Sequence, residues 1–548
     1  MIVLLGDVGT PNGAYHLGDE AMLEAALEAL RQRGVADQTV VSSDPASTEE
    51  RYSVRAVARV GFALLDSDAQ DSRLAAVTAT AAGERNLLAP SDPAHAVIAA
   101  VAASDGVLIT GGGNLSAQWP EHILERVAIA RIAAALGRPV VMTGQMVGPH
   151  LDERAGRLAA ELIAGASLIG VRDAESRAIV QQLVGDRAVS LLPDDAAMLG
   201  IDDTPSPEPD GPVIATVAPW VGGLPLDDVV SGIADQLAIM SDTVGKDVLF
   251  LPHVGTLGTT DDGDSAMHRQ IISRLGHGKC GQLEPARIAA RRHRSASFTF
   301  TTRYHPAVFA TSHGQPVIAA AVDDYTASKM RGALAFVGAT DGLMPLGAVG
   351  TRTARALARD IWRTRQEVRT VALDRADAIA RAREAWWDSV VDHLLQQGST
   401  ANPLVIEPAS RLSLVDPEVG ADVERLNRTL LPAGTERGLQ SVRNAAAEAR
   451  AVRASNERDA ARKELADALV ELKSRDDTVR ELEDALTAAH RVQSALADPA
   501  VRRALSRNVE RYVPPSTIEA LLETRSFRWS RGARRIVGSV RRLTGRAR

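Results

Sequence analysis

Arg303 and His305 stand two residues apart in Thr302-Arg303-Tyr304-His305-Pro306, directly after the β-rich run Phe298-Thr299-Phe300-Thr301. Lys329 follows a second apolar run, Pro316 to Val322, with Tyr325 four residues before it. Two cations and a titratable imidazole at adjacent strand ends suit a ligand that carries phosphate or carboxylate. In open α/β sheets, ligands bind beyond the carboxyl ends of strands. Two glycine turns take equivalent places earlier in the chain. Gly111-Gly112-Gly113-Asn114 follows Gly106–Thr110, and Gly144-Gln145-Met146-Val147-Gly148 follows Pro139–Thr143. Lacking a Cβ, such turns let backbone N–H groups approach an anion, although they also serve close helix–strand packing.

Four further positions carry chemistry. Asp19 and Glu20 open the first helical pattern, where Asp19 fits an N-cap and either carboxylate could instead accept a proton from a sugar hydroxyl. Arg172 lies at a strand-to-helix junction, with Asp173 as the N-cap; it faces a cleft or pairs with a carboxylate. His253, after Leu251-Pro252, is a candidate general acid or base. No metal-site spacing occurs, Asp261-Asp262-Gly263-Asp264 reads as a surface loop, and neither a Walker A pattern nor a GxGxxG fingerprint is present.

The elements that must hold these residues alternate. Residues 1–203 read as strands Met1–Leu5, Thr39–Ser42, Gly106–Thr110, Pro139–Thr143, Ser167–Val171 and Val189–Leu192, with helices near 19–33, 92–103, 121–136, 152–165 and 173–184; 44–91 has no clear period. Four prolines make 204–212 a hinge. The alternation restarts over 213–398 with Val213–Val217, Asp247–Leu251, Ser297–Thr301, Pro316–Val322 and Leu334–Val337, then a long helical stretch, 352–396. The expected fold is α/β, two Rossmann-like halves with a cleft between them.

Composition supports sizeable cores: 45% of the 548 residues are hydrophobic, but only 3% are aromatic, so Ala, Val, Leu and Ile must fill them. A single cysteine, Cys280, excludes a disulfide framework and suits a reducing cytoplasm. The first residues lack a basic n-region, and no apolar stretch of about 18 residues occurs, so neither a leader nor a spanning helix is expected.

Beyond the α/β body, 399–437 reads as a linker. Over 438–498, Leu465, Leu472, Val479 and Leu486 recur every seven residues, a coiled-coil pattern that Arg475 and Gln493 interrupt and that implies a homo-oligomer. Residues 499–548 form an Arg-rich amphipathic tail: positions 500–548 hold 13 Arg, no Lys and 3 Glu, so a tail of +10 is attached to a body of −17. An anionic membrane surface suits this tail; a disordered basic tail is the plainer reading, and nucleic acid is disfavoured because no aromatic stacking platform is interleaved.

In this order, a loop ending GDEAML, then GGGNL, GQMVGP, VRDAES, LPDDAA, LPH, TRYHPAVFA and Y-x-x-x-K resemble the polysaccharide pyruvyl transferase family over residues 1–395. One departure is visible: His16-Leu17 stands where that family usually places an Asn before the first GD. The resemblance implies a glycosyltransferase-B-like arrangement and transfer of pyruvate from phosphoenolpyruvate, as co-substrate without a further cofactor, to a saccharide as a ketal. It implies donor contacts for Arg303 and His305, and also for Lys329 and Arg172. Backbone amides of Gly112 and Gly113, with Asn114 and Gln145, would complete the substrate site; His305 or His253 would be the acid, and Asp19 or Glu20 the base. A lipid-linked acceptor would explain the basic tail and places the expected enzyme in the cytoplasm, peripheral to the inner face of a membrane. Two other readings stand beside it. One is a nucleotide-sugar glycosyltransferase of the same architecture, with Glu284 as the candidate ribose ligand; the other is a non-catalytic envelope-assembly scaffold.

Overall fold

The computed structural model describes residues 1–438 except 11–13, 64, 202–209 and 397–401, together with four isolated positions further on. Most of the expected hinge, the coiled coil and the Arg-rich tail lie outside the described residues.

The first half is a sheet of β1 (Ile2–Leu5), β3 (Gln38–Ser42), β4 (Arg55–Ala58), β5 (Gly106–Ile109), β6 (Gly112–Leu115), β7 (Val140–Val147), β8 (Leu168–Val171) and β9 (Ser190–Leu191). Its strand order is β4-β3-β1-β5-β7-β8-β9, with β6 beside β7, and the paired strands run parallel. The second half repeats the pattern with β10 (Val213–Thr216), β11 (Val248–Phe250), β13 (Lys279–Cys280), β14 (Phe298–Thr301), β15 (Val317–Ala321) and β16 (Leu343–Pro345), in the order β13-β11-β10-β14-β15-β16. Both orders reverse at the first strand of their half, which creates a crevice beyond β1/β5 and another beyond β10/β14. Helices cover both faces, so the inner strands are buried throughout and read as continuous apolar runs.

The halves are joined by more than a hinge. A short antiparallel pair links β2 (Tyr15–His16) to β12 (Val254–Gly255), and Leu17 N donates to the His253 carbonyl at 2.8 Å. A shared apolar cluster follows: Leu17, Ala21 and Met22 of the first half pack with Ala286, Ala290, Ala307 and Phe309 of the second. The helix Arg365–Leu394 then returns to the first half, where Trp386 and Trp387 pack with β1 and β5 residues. A Cβ on Gly170 would lie 2.5 Å from the Trp386 ring, so only glycine admits that indole.

Three expectations are corrected. Leu334–Val337 is not a strand: it falls at the end of the helix Asp324–Ala335, and the edge strand is Leu343–Pro345. Four apolar residues in a row, three of them buried, fit a strand or a helix face equally well. Residues 44–91 contain the helices Pro45–Tyr52 and Ser67–Ala81, N-capped by Asp44 and Asp66, around the edge strand β4. The stretch read as a linker, 399–437, is packed where described. Val405 bridges to Leu191, and a helix over 417–438 places Val423 and Leu431 in the second half's apolar clusters. Among the described residues, no helix is long and apolar enough to cross a membrane.

Candidate functional site

Two residues beyond β14, the extended backbone of Arg303 turns directly into the helix Tyr304–Thr311, so Tyr304 and His305 occupy its first turn. After β15, Asp323 caps the helix Asp324–Ala335 by accepting from Thr326 N at 2.7 Å. Tyr325 and Lys329, four residues apart, then share one helix face, with Lys329 Nζ 3.3 Å from Tyr325 Oη. From the first half come Gly112 and Gly113, which the structure places in strand β6 after β5 rather than in a turn, and Arg172 after β8.

These groups converge at Gly113. A Cβ there would lie 3.0 Å from Arg172 Nη2 and 3.1 Å from Lys329 Nζ, so cations from opposite halves meet at one glycine Cα. Tyr325 Oη donates to Gly113 O at 2.5 Å. Arg172 is almost fully buried, pairs through Nη1 with Asp194 Oδ2 at 2.8 Å, and stacks 4.1 Å from the Tyr304 ring centre. His305 lies alongside: its Nε2 is buried without a hydrogen bond, 3.8 Å from Asp194 Oδ1. Burial pulls the His305 pKa down to about 4, with Asp194 opposing the shift and Arg172 adding to it, so its imidazole is neutral near pH 7.

The opposite edge of His305 touches the first helix. A Cβ on Gly18 would sit 2.2 Å from His305 Nδ1. Gly18→Ala is therefore expected to push the imidazole out of place and lower turnover at least about tenfold, while leaving the Arg172 and Lys329 contacts at Gly113 in place. Steady-state kinetics with donor titration check this; unchanged turnover would mean His305 needs no fixed position.

The other expected site residues are placed differently. Arg303 grips Asp264 through Nε (2.7 Å) and Nη2 (2.5 Å), while Asp264 also accepts from the backbone of His253 and Val254. Its guanidinium therefore anchors the loop beyond β11 and is not part of the Arg172–Lys329 pair. His253 is buried against His293, with the two Nε2 atoms 3.0 Å apart. Burial, with His293 adding, holds its pKa well below the usual range, and its Nε2 is engaged by His293. Glu20 is fully buried, accepts from Gly9 N, Arg51 and Tyr52, and tethers the first loop. Asp19 pairs with His16 at 2.8 Å, occupying the departure from the usual Asn, and has His305 among its neighbours. Gln145 donates to the carbonyls of Thr110 and Thr143, bracing the strand ends. Gly112 lies against Arg126, whose Nη2 would be 2.9 Å from a Cβ.

Sequence reasoning missed a carboxylate at the end of β1. Asp7 accepts from Arg126 Nη2 (2.6 Å), Asn114 Nδ2 (2.7 Å), His122 Nδ1 (2.7 Å) and Arg59 Nη2 (3.3 Å). Burial alone would push its pKa up, but Arg126, His122 and Arg59 outweigh burial and hold it well below the usual carboxylate range. The signal was available: His122 and Arg126 are spaced i, i+4 in the helical pattern that follows Gly111-Gly112-Gly113-Asn114.

A family model for polysaccharide pyruvyl transferase matches residues 16–324, more than half of the chain. The chain belongs to the polysaccharide pyruvyl transferase family. The match runs from His16 through Arg172, Arg303 and His305 but stops before Tyr325 and Lys329, so those two enter this pyruvyl transferase-family site on geometry alone. No curated protein matches the chain. Solved structures with a similar fold include a Listeria monocytogenes protein assigned as a UDP-N-acetylglucosamine 2-epimerase, at 12% identity, covering 74% of this chain and 99% of that one with a TM-score of 0.49. A UDP-GlcNAc 2-epimerase from Neisseria meningitidis follows at 11%, 72%, 99% and 0.45, and the calicheamicin glycosyltransferase CalG4 at 15%, 73%, 99% and 0.40.

Proposed function

We propose that this family member transfers pyruvate from phosphoenolpyruvate to two hydroxyls of a saccharide, forming a cyclic ketal and releasing phosphate. The observation that supports it is the meeting of Arg172 and Lys329, one from each half, at Gly113 beside Tyr325 and His305. Phosphoenolpyruvate places a carboxylate and a phosphate on one carbon, C2. A fixed guanidinium and a nearby ammonium match that pair, and the buried surroundings strengthen both contacts.

A proton added to C3 makes C2 electrophilic. One hydroxyl oxygen bonds to C2; the second bonds to C2 as the C2–O bond to phosphate breaks, and phosphate leaves with the electron pair. Of the two protons released by the hydroxyls, one balances that taken up at C3 and the other leaves with phosphate. His305 is the acid in this scheme. It is neutral in the empty site, but two anionic groups arriving beside it favour its protonated form.

Calorimetric titration of phosphoenolpyruvate near pH 7, in buffers of different ionisation enthalpy, tests both points. Binding with uptake of about one proton is expected. Absence of binding would remove the donor assignment, and binding without proton uptake would remove His305 as the acid. A nucleotide-sugar donor is less well supported: Glu284, its candidate ribose ligand, is held by Arg292 through two contacts of 2.6 and 2.7 Å.

A further inference from the structure

We propose that the Trp119–His122 segment is the acceptor subsite, with Trp119 as the platform for a sugar ring and His122 as the base for the attacking hydroxyl. This rests on the pyruvyl-transfer reading and adds the partner that reading leaves without a base.

The Asp7–His122 pair fixes a tautomer. Asp7 is held ionised and can only accept, so the proton of the 2.7 Å contact sits on His122 Nδ1. In the neutral imidazole this leaves the Nε2 lone pair free, the form needed to take a proton. Among the described residues its nearest carboxylate is Glu121 Oε1, 3.9 Å away. The imidazolium formed by proton transfer would lie between Asp7 and Glu121. His122 differs here from His253, His293 and His305, which are buried. Its side chain is 20% exposed, enough for a hydroxyl to reach it.

Trp119 supplies a surface for the rest of the acceptor. It immediately precedes the helix Pro120–Ala135, is 39% exposed, and meets the His122 ring edge to face at 6.3 Å. An exposed indole beside hydrogen-bonding groups offers an apolar face and a polar rim, the two surfaces of a pyranose. A purely structural network around Asp7 would need Arg126 and Asn114, but neither an exposed Trp119 nor a partly open His122.

Asn114 connects this subsite to the donor cations. Its Nδ2 donates to Asp7, and its Oδ1 accepts from Tyr325 Oη at 3.4 Å, while Tyr325 is also the contact of Lys329 Nζ. Asp7 and Asn114 therefore link the proposed base to the proposed donor pocket.

The test begins on a printed array of mono- to tetrasaccharides, read with labelled protein and no donor. Wild-type protein is expected to bind a subset of sugars that Trp119→Ala no longer binds. Those sugars then serve as acceptors in a phosphate-release assay with phosphoenolpyruvate. His122→Gln, which keeps a donor toward Asp7, is expected to keep sugar and donor affinity and lose at least about a hundredfold in kcat. Unfolding midpoints check that both variants fold. The subsite is overturned if wild-type protein binds no sugar, if Trp119→Ala binds as wild type does, or if His122→Gln turns over within about threefold of wild type. Failure to bind phosphoenolpyruvate, read separately by calorimetry, counts against the donor reading and leaves the array result standing.

Discussion

Lys329→Met is expected to weaken phosphoenolpyruvate binding about a hundredfold, a loss of about 3 kcal/mol, without lowering the unfolding midpoint. Lys329 is half-buried, and among the described residues no carboxylate lies within salt-bridge distance of its Nζ. Its polar neighbour is Tyr325 Oη, and its charged neighbour across Gly113 is another cation, Arg172. In the empty protein the charge is therefore opposed, and removing it relieves repulsion. In the donor complex the same charge faces an anion. Methionine keeps the length of the side chain and its packing over Tyr325. Arg172 gives a less clean experiment: it neutralises buried Asp194, so Arg172→Met would strand a carboxylate and cost several kcal/mol of stability. Calorimetry and thermal denaturation of Lys329→Met decide the matter; unchanged donor affinity would take Lys329 out of the site.

Both sheets were legible because their strands are buried on two faces and their ends are marked by glycine or by charge. Thr302-Arg303-Tyr304-His305 was legible as a strand end, but not as two separate destinations. Whether Arg303 turns toward a ligand or toward Asp264 depends on a buried helix start 39 residues earlier in sequence, where a surface loop was expected, and local pattern carries no such information. Glu20 illustrates the same gap: its position in a first turn is plain, yet its partners Arg51 and Tyr52 come from the stretch that showed no period. The packed segment at 402–438 was illegible because its register is set by tertiary contacts, such as Thr435 Oγ1 to Asp324 Oδ2 at 3.0 Å and Arg437 Nε to Gly222 O at 2.9 Å. Asp7 was passed over for the opposite reason: a lone carboxylate after a strand is common, and its meaning comes from four donors that only the fold collects.

Lowering the pH from 7 to about 5.5 is expected to reduce the unfolding free energy by about 3 kcal/mol. Four buried histidines are the cause. Burial brings His305 and His268 down to about 4 and His293 to about 3, and His253 is held well below the usual range. Three of them use a ring nitrogen as an acceptor or in a shared contact: His268 Nε2 accepts from Val217 N at 3.0 Å, and His253 and His293 meet through Nε2. Protonation would break these contacts as well as bury a charge. Below about pH 6.5 the unfolded chain binds protons at these four sites and the folded chain does not. The unfolded state thus holds more protons, so stability falls as pH falls, by about 1.4 kcal/mol per unit for each residue until the folded values are reached. Asp195 works in the opposite direction. Burial, with Asp194 beside it, raises its pKa to about 7, so between about pH 7 and 4 the folded form takes up a proton that the unfolded form does not, and stability gains. His313, brought down to about 4 by burial, adds to the loss, while burial raises Glu24, Glu125 and Asp173 and these oppose it, so the net is about that of three histidines. Urea denaturation at the two pH values measures the difference directly. A stability that is flat or rises toward pH 5.5 would mean that these imidazoles take up protons in the folded protein, and His305 would then be protonated before any donor arrives.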